Sequence, residues 1–471
     1  MTRVVVIGAG IAGLAAAWEL SRRMPAAQVL VLEGAAEIGG KLRTRTVAGI
    51  PVDVGAEALL ARRPEGVGLI EEAGLAAQRI DPLTTTAQLR VAGMRVPLPA
   101  RTLLGIPADL SAARSSGALT DAALARVAAE PSAQPMPTLA DDVAVGALVR
   151  ERLGNEVTDR LVEPLLGGVY AGHADQLSLR ATMPALAIRL ARDGGSLVRA
   201  AQAVTDAGAH DPAAGAVFTS LVGGLGTLPP ALARTAGFTV RTSVTVRSLR
   251  RYGHGFVLEC GPAPAPELVE ADAVVVATPA GKASQLLRAV APYAAADLRG
   301  VESASVAIVT VAYRNVAPPP GSGLLIAARE GFTVKAVTLS SQKWPIATGG
   351  LTVLRASVGR AGEAAVLQRE DAELIALVRH ELRALVGIEG EPVDAVVTRW
   401  GGGLPQYAVG HMQLVARVRA AVAEVDGLAV CGATYDGVGI PACIASGRLA
   451  AEHVAGHLAA GLAGRSGTGG E

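Results

Sequence analysis

The sequence predicts an α/β protein built on a parallel sheet that starts at the amino terminus. Three observations predict it. The apolar run Val4-Val5-Val6-Ile7 leads directly into Gly8-Ala9-Gly10-Ile11-Ala12-Gly13. A helical segment, Leu14 to Arg23, follows. A second apolar run, Val29 to Leu32, ends at Glu33, twenty positions past Gly13. Strand, glycine turn, helix and strand in this order, with an acid at this distance, form a dinucleotide-binding unit. Gly8 allows the sharp turn, Gly10 lets a pyrophosphate approach the backbone, and Gly13 lets the helix pack close to the sheet. The helix start supplies free N–H groups and the positive end of its dipole. Glu33 can accept hydrogen bonds from ribose hydroxyls. A secretory leader is the competing reading of Arg3 to Trp18, which has a suitable length. Three glycines in the run, the lack of an A-x-A site and the Glu33 spacing argue against it.

At 471 residues the chain predicts two or three domains. Half the residues are hydrophobic and only 3% are aromatic, so a large core must be built from Ala, Val, Leu and Ile. A formal net charge of +1 gives no electrostatic case for nucleic acid. The three cysteines, Cys260, Cys431 and Cys443, are odd in number and form no CxxC, which fits free thiols in the reducing cytoplasm. No uncharged run reaches the length of a membrane-spanning helix. Peripheral membrane contact through an apolar helical face stays open.

After Glu33-Gly34 comes Gly39-Gly40-Lys41-Leu42-Arg43-Thr44, a bend with little side-chain bulk flanked by basic residues. It can carry the chain over a cofactor, with Lys41 or Arg43 facing phosphate or ring oxygens. Ile50 to Glu57 reads as a short strand entering a second tight turn, where Gly55 again suggests backbone close to a ligand. Ala56, Glu57 and Ala58 complete that turn.

The combination GxGxxG, Glu33, GGKLRT and DVGAE resembles the flavin-dependent amine oxidase and protoporphyrinogen oxidase superfamily. The resemblance implies FAD held in extended form, with Gly8 to Gly13, Glu33, Gly34, Gly40, Lys41, Arg43 and Gly55 to Ala58 along it.

Farther on, Arg62-Arg63-Pro64 is a small basic cluster. Val91 to Pro99 predicts a hairpin turning at Ala92-Gly93, with Arg95 beside it and Arg101 just beyond. From Ala108 to about Ala207 the pattern is helical. Val145, Leu148, Val149 and Leu153 recur at helical spacing, and Gly154 marks a C-cap. A second helix is expected over Val157 to Leu166, then a glycine-rich loop through Gly167-Gly168-Val169-Tyr170-Ala171-Gly172, then another helix. The stretch EPLLGGVYAGHADQLSLRATMPAL resembles the oxygen-dependent porphyrinogen oxidases specifically. Amine oxidases do not carry it. The resemblance makes Gly168 and Tyr170 candidate substrate contacts.

Pro212 to Ala216 predicts a loop before the strand Val217 to Leu221. Gly223 to Pro229 resembles the superfamily's GGxxxL turn. Val240 to Leu249 alternates as one strand, with Phe256 to Cys260 as its hairpin partner. By resemblance Val246 offers its backbone to the adenine. Ala271 to Ala277 predicts a buried parallel strand. Period-2 alternation predicts a second sheet from Ser303–Ala312, Phe332–Leu339 and Leu351–Val358, and Asp371 to Val386 an amphipathic helix. Thr398 to Tyr407 resembles the family's W…ALPQY stretch, which places Trp400 near the flavin.

The carboxyl-terminal segment reads as a strand, Gly427 to Cys431, ending at Gly432. A loop over Thr434–Pro441 and a helix from Ala442 to about Leu458 follow, then a disordered tail over Gly461 to Glu471. The unit points a second helix start at a ligand. It resembles the porphyrinogen oxidase terminus and puts the backbone of Val438-Gly439-Ile440 at the flavin. His453 and His457 are four apart on a helix but lack a third ligand, so no metal site is expected. No side chain stands out as an obligate acid or base, which suits chemistry carried by a cofactor.

The resemblance implies a Rossmann-like FAD-binding domain from residues 1–60, 216–285 and 418–471. A mixed-sheet substrate domain would come from 61–107 and 286–417, and an inserted helical domain from 108–215. It further implies six-electron oxidation of a porphyrinogen by O2, giving H2O2, in haem biosynthesis, with coproporphyrinogen III favoured over protoporphyrinogen IX. An amine- or carotenoid-type oxidoreductase on the same fold is the alternative, and a haem-delivery protein without turnover a further one. Arginines should meet the substrate's propionates, and Arg62, Arg63, Arg95 and Arg101 are the candidates. A transient ferrochelatase-type partner for the product stays open.

Overall fold

The computed structural model describes residues 1–208, 216–235 and 237–466. The expected loop at 212–216 lies almost wholly outside them.

A five-stranded parallel sheet runs in the order Phe238–Arg241, Gln28–Leu32, Arg3–Ile7, Ala273–Val276 and Leu428–Val430. Beyond the first residues Arg3 and Gln28, its central strands are apolar because both faces are covered. Val4, Val6, Val29 and Val31 face one core with the first helix, Ile11–Arg23, and the last, Ile440–Ser466. Val5, Ile7, Leu30 and Leu32 face another. The two helices cross at Gly447, where a Cβ would come within 2.2 Å of the Ala12 carbonyl oxygen.

The segment expected as one strand over Val240–Leu249 is broken in two. Phe238–Arg241 joins the parallel sheet, and Val246–Tyr252 pairs antiparallel with Gly255–Cys260. Ser243 adopts φ +58° between them, and the polypeptide turns because Val244 and Ser243 donate to the carbonyls of Glu33 and Ala35. Alternation alone cannot register such a turn.

The second sheet has seven strands, in the order Asp394–Pro405, Ser303–Arg314, Leu351–Val358, Val334–Thr338, Gly323–Ile326, Ala87–Val91 and Met94–Pro97. Ala92 and Gly93 turn the last hairpin with φ of +49° and +73°, as a two-residue hairpin turn requires. One face packs Leu354, Ala356 and Val358 against Leu374, Val378 and Leu382 of the helix Asp371–Val386. That helix begins in a Glu370–Glu373 capping box and ends at left-handed Gly387, and its bounds are those expected.

The helical region departs from expectation at the glycine pair. Asn155–Val157, a π-helical turn at Thr158–Val162 and Glu163–Tyr170 run on continuously, so Gly167 and Gly168 lie inside a helix. The helix ends at Ala171, with φ +53°. Pro164 sits in its first turn, where a missing N–H is tolerated. Near the carboxyl terminus the expected loop contains one helical turn, Ala433–Asp436, and the last helix already starts at Ile440. That helix continues to Ser466, past the point where a disordered tail is expected, and 467–471 lie outside the described residues. Among the described residues no helix is long and apolar enough to cross a membrane.

Candidate active site

The site is built from the first turn. Gly8 has φ +105°, and a Cβ there would lie 2.9 Å from the Ala277 carbonyl oxygen. A Cβ on Gly13 would lie 1.9 Å from the Gly8 oxygen. Gly10 differs: nothing lies within 4 Å of a Cβ built on it. The amides of Ile11, Ala12 and Gly13 open the first helix and so have no intrahelical acceptor, and no side chain caps them. Open space above unpaired amides at a helix start is what a pyrophosphate requires.

The Gly39-Gly40 bend rests on this turn. The Gly39 amide donates to the Ala9 oxygen at 2.7 Å, and a Cβ on Gly40 would lie 3.2 Å from the Gly10 Cα. Glu33 accepts from the amides of Ala9 (2.7 Å) and Ala35 (2.8 Å). Beyond it, Gly34 faces Thr245, and Val244 donates to the Glu33 carbonyl, which brings Val246 to the Glu33 end of the cradle.

Lys41, Arg43, Gly55 and Trp400 converge at the other end. A Cβ on Gly55 would lie 2.0 Å from the Lys41 oxygen and 3.1 Å from Trp400 Cζ2. Trp400 Nε1 donates to the Val54 oxygen at 2.9 Å, and the Arg43 guanidinium stacks 5.3 Å from the indole centroid. The Ala56 amide donates to the Lys41 oxygen, and Ala58 leads out into the strand Leu59–Leu60. Burial pushes the Lys41 ammonium below its ordinary pKa, against the pull of the nearby Cys443. Cys443 lies in the first turn of the last helix, just after Val438, Gly439 and Ile440. Gly432, at φ +119°, donates to Ser446 Oγ and faces Ala12. The first and last helices therefore begin at the same carboxyl end of the parallel sheet, where such sheets bind ligands.

The Glu57 side chain serves the scaffold. Its carboxylate receives Lys343 Nζ at 2.5 Å and the Arg355 guanidinium, which also donates to the Gly55 oxygen at 2.5 Å. Burial alone would raise its pKa, but Arg355 and Lys343 outweigh burial and bring it to about 2. This carboxylate is already committed to the two cations.

The four expected arginines do not converge. Arg62 and Arg63 are exposed, and Arg63 pairs with Glu65 at 3.1 Å. Arg95 is exposed on the edge strand, and Arg101 pairs with Asp206 and, at 3.8 Å, with Asp109. Gly168 and Tyr170, two positions apart in one helix, lie on different faces: Gly168 is exposed and Tyr170 is buried. A Cβ on Gly168 would come within 3.3 Å of Leu325, and Tyr170 accepts from Gln406 Nε2 through its carbonyl at 2.8 Å. The Tyr170 ring meets Tyr407 at 5.6 Å, and Tyr407 stacks on His411 at 4.3 Å. Burial pushes the Tyr170 phenol up to about 12, so it stays protonated near neutrality. Four buried or half-buried cations were not singled out by sequence: Lys335, Lys343, Arg355 and Arg360. A usable signal existed for two of them, since each is the lone charge in an apolar strand, VKAVT and LTVLRASV.

Residues 11–455 match the family model described as flavin containing amine oxidoreductase. The coproporphyrinogen III oxidase of Mycobacterium tuberculosis is 39% identical, covering 94% of this chain and 95% of its own. The coproporphyrinogen III oxidase of Bacillus subtilis is 31% identical, covering 95% and 96%. A solved structure from Exiguobacterium sp. 255-15, provisionally assigned as a protoporphyrinogen oxidase, superposes with a TM-score of 0.85 at 31% identity, covering 96% and 98%.

Proposed function

The chain belongs to the flavin containing amine oxidoreductase family and is an FAD-dependent oxidase, and from that premise we propose that it oxidises coproporphyrinogen III to coproporphyrin III in the cytoplasm. The near-complete match to relatives of that name carries the reading. Over three two-electron rounds the macrocycle loses six hydrogens and three O2 become three H2O2. FAD, when bound, supplies the acceptor for each hydride and passes the electrons to O2.

The chain's own residues bind and orient. The amides of Ile11 to Gly13 are suited to the phosphates, Glu33 to ribose hydroxyls and the Val246 backbone to adenine. Lys41, whose ammonium has no ion-pair partner among the described residues, is placed to face negative charge near Gly55 and Trp400. The segments 1–60, 216–285 and 418–471 make up the cofactor domain in this reading, and the face of the seven-stranded sheet that carries Trp400 and Arg355 closes it.

Anaerobic mixing of the holoenzyme with coproporphyrinogen III, protoporphyrinogen IX or a polyamine tests the substrate. Fastest bleaching of the flavin by coproporphyrinogen III is expected. Preference for protoporphyrinogen IX would establish the runner-up, which the Exiguobacterium structure favours. Bleaching by the polyamine alone would overturn both. Glu33→Ala is expected to weaken FAD retention about tenfold or more, since a hydrogen bond to a charged group is lost. Equilibrium dialysis of flavin from the variant checks it, and unchanged affinity counts against the ribose role.

A further inference from the structure

Past its end at Ala171, the helix Glu163–Tyr170 is held to the loop that follows the strand Leu351–Val358. The Ala361 amide donates to the Ala171 oxygen at 2.7 Å, and His173 Nε2 lies 3.3 Å from the Ala361 oxygen. His173 Nδ1 lies 3.0 Å from one Glu163 carboxylate oxygen, and the other accepts from the Ala174 amide at 2.7 Å. One imidazole therefore joins the first residue of that helix to a loop of the seven-stranded sheet. Ala171 also packs with Ala304, Val306, Ala361 and Trp400, so the junction borders the Trp400 end of the cradle.

Both partners of the ring are acceptors. A neutral imidazole carries one N–H and turns a lone pair toward one of them, whereas the imidazolium donates to both. The Ala174 amide on Glu163 favours the carboxylate, so the proton rests on the ring. Glu363, two residues past Ala361, favours the imidazolium as well. Asp175, on the same segment as His173, is paired with Arg150 at 2.9 Å. On the sheet side, Glu163 shares a narrow crevice with Arg360 and with Lys335, which a β-bulge carries. These two cations oppose a further positive charge, and Arg360 in turn has Glu363 at 3.5 Å. The hydrogen bond to Glu163 outweighs burial and raises the His173 pKa above its ordinary 6.5. The imidazole is 36% exposed, so it exchanges its proton with solvent.

We propose that His173 is a positioning residue: as the imidazolium it clasps the helix Glu163–Tyr170 to the loop at Ala361, and loss of its proton releases one end of the clasp. The clasp is complete below pH 6.5 and is lost as pH rises through the raised value. That helix carries Gly168 and Tyr170, so the consequence for substrate binding rests on the porphyrinogen reading, whereas the clasp itself does not.

Amide hydrogen exchange of the holoenzyme at about pH 6 and about pH 9 tests the clasp without substrate. In the wild type the protection of the Ala361 amide is expected to fall about tenfold at the higher pH. His173→Gln is expected to show the low value at both. Glu163→Gln is expected to keep the high value at both: its oxygen stays with the Ala174 amide, and its NH2 donates to the lone pair of a neutral ring. Equal protection at both pH values in the wild type overturns the clasp, as does a wild-type fall in His173→Gln. Should His173→Gln fail to fold, Glu163→Gln decides, and a wild-type fall there overturns the proposal. KM for coproporphyrinogen III is expected to rise several-fold over the same interval in the wild type, with kcat held, and to stay level in both variants. A level KM in the wild type overturns the role in substrate binding. A wild-type holoenzyme that oxidises neither porphyrinogen overturns the functional reading instead, and the exchange data then judge the clasp separately.

Discussion

Replacing Glu57 with Gln is expected to destabilise the protein by about 3–5 kcal/mol, because two cations, Lys343 and Arg355, would stay buried without their carboxylate. Few single substitutions here should cost more. The three groups tie the turn after Ile50–Asp53 to the seven-stranded sheet, so the loss falls at that contact. Urea denaturation at neutral pH measures it, and a loss below about 1 kcal/mol would show that the pair is solvated. The pH dependence has a definite sign. The Glu57 pKa falls from an ordinary 4.5 to about 2 on folding, so its contribution is complete above 4.5 and is lost as pH drops toward 2. A shift of that size is worth about 3 kcal/mol. The acid limb of the wild-type stability profile should therefore flatten in Glu57→Gln.

Gly10→Ala and Gly13→Ala, three residues apart in one motif, are expected to fail in different ways. Gly10 has φ −69° and ψ 172°, which Ala adopts freely, and its Cβ would meet open space. The variant should keep its stability within about 1 kcal/mol. It should nonetheless lose FAD affinity about 10- to 100-fold, because the methyl occupies the approach to the unpaired amides. Gly13→Ala sets a methyl 1.9 Å from the Gly8 carbonyl, which is backbone and cannot swing aside. Overpacking of this kind costs about 1–3 kcal/mol and moves the helix start, so stability and FAD both suffer. Flavin titration of the apoprotein and thermal unfolding separate the two. Wild-type FAD affinity in Gly10→Ala would remove the phosphate assignment.

Much of this was legible along the chain. The strands Arg3–Ile7, Gln28–Leu32 and Ala273–Val276 are apolar at nearly every position because helices cover both faces, and the capped helix Asp371–Val386 shows a regular 3.6-residue stripe. The glycine motif could be read because each glycine answers a local constraint of turn or close approach. Gly167-Gly168 misled because glycine usually ends helices, whereas here the helix continues and Gly168 lies close to Leu325. Val240–Leu249 misled because alternation says nothing about which sheet a strand enters.

The sequence by itself determined the parallel sheet, the glycine turn and the acid that follows it, since these depend on residues within one short stretch. Only the tertiary structure decided which charges are buried and with whom. Glu57 meets Lys343 and Arg355 across nearly three hundred residues, and Lys335 is aimed into its crevice by a bulge that exists only once two strands are paired. Arg63 and Arg101 have their own carboxylates at the surface, whereas Lys335 and Arg360 are buried beside the glycines of a helix. Desolvation separates the two groups, and desolvation is a property of the packed chain.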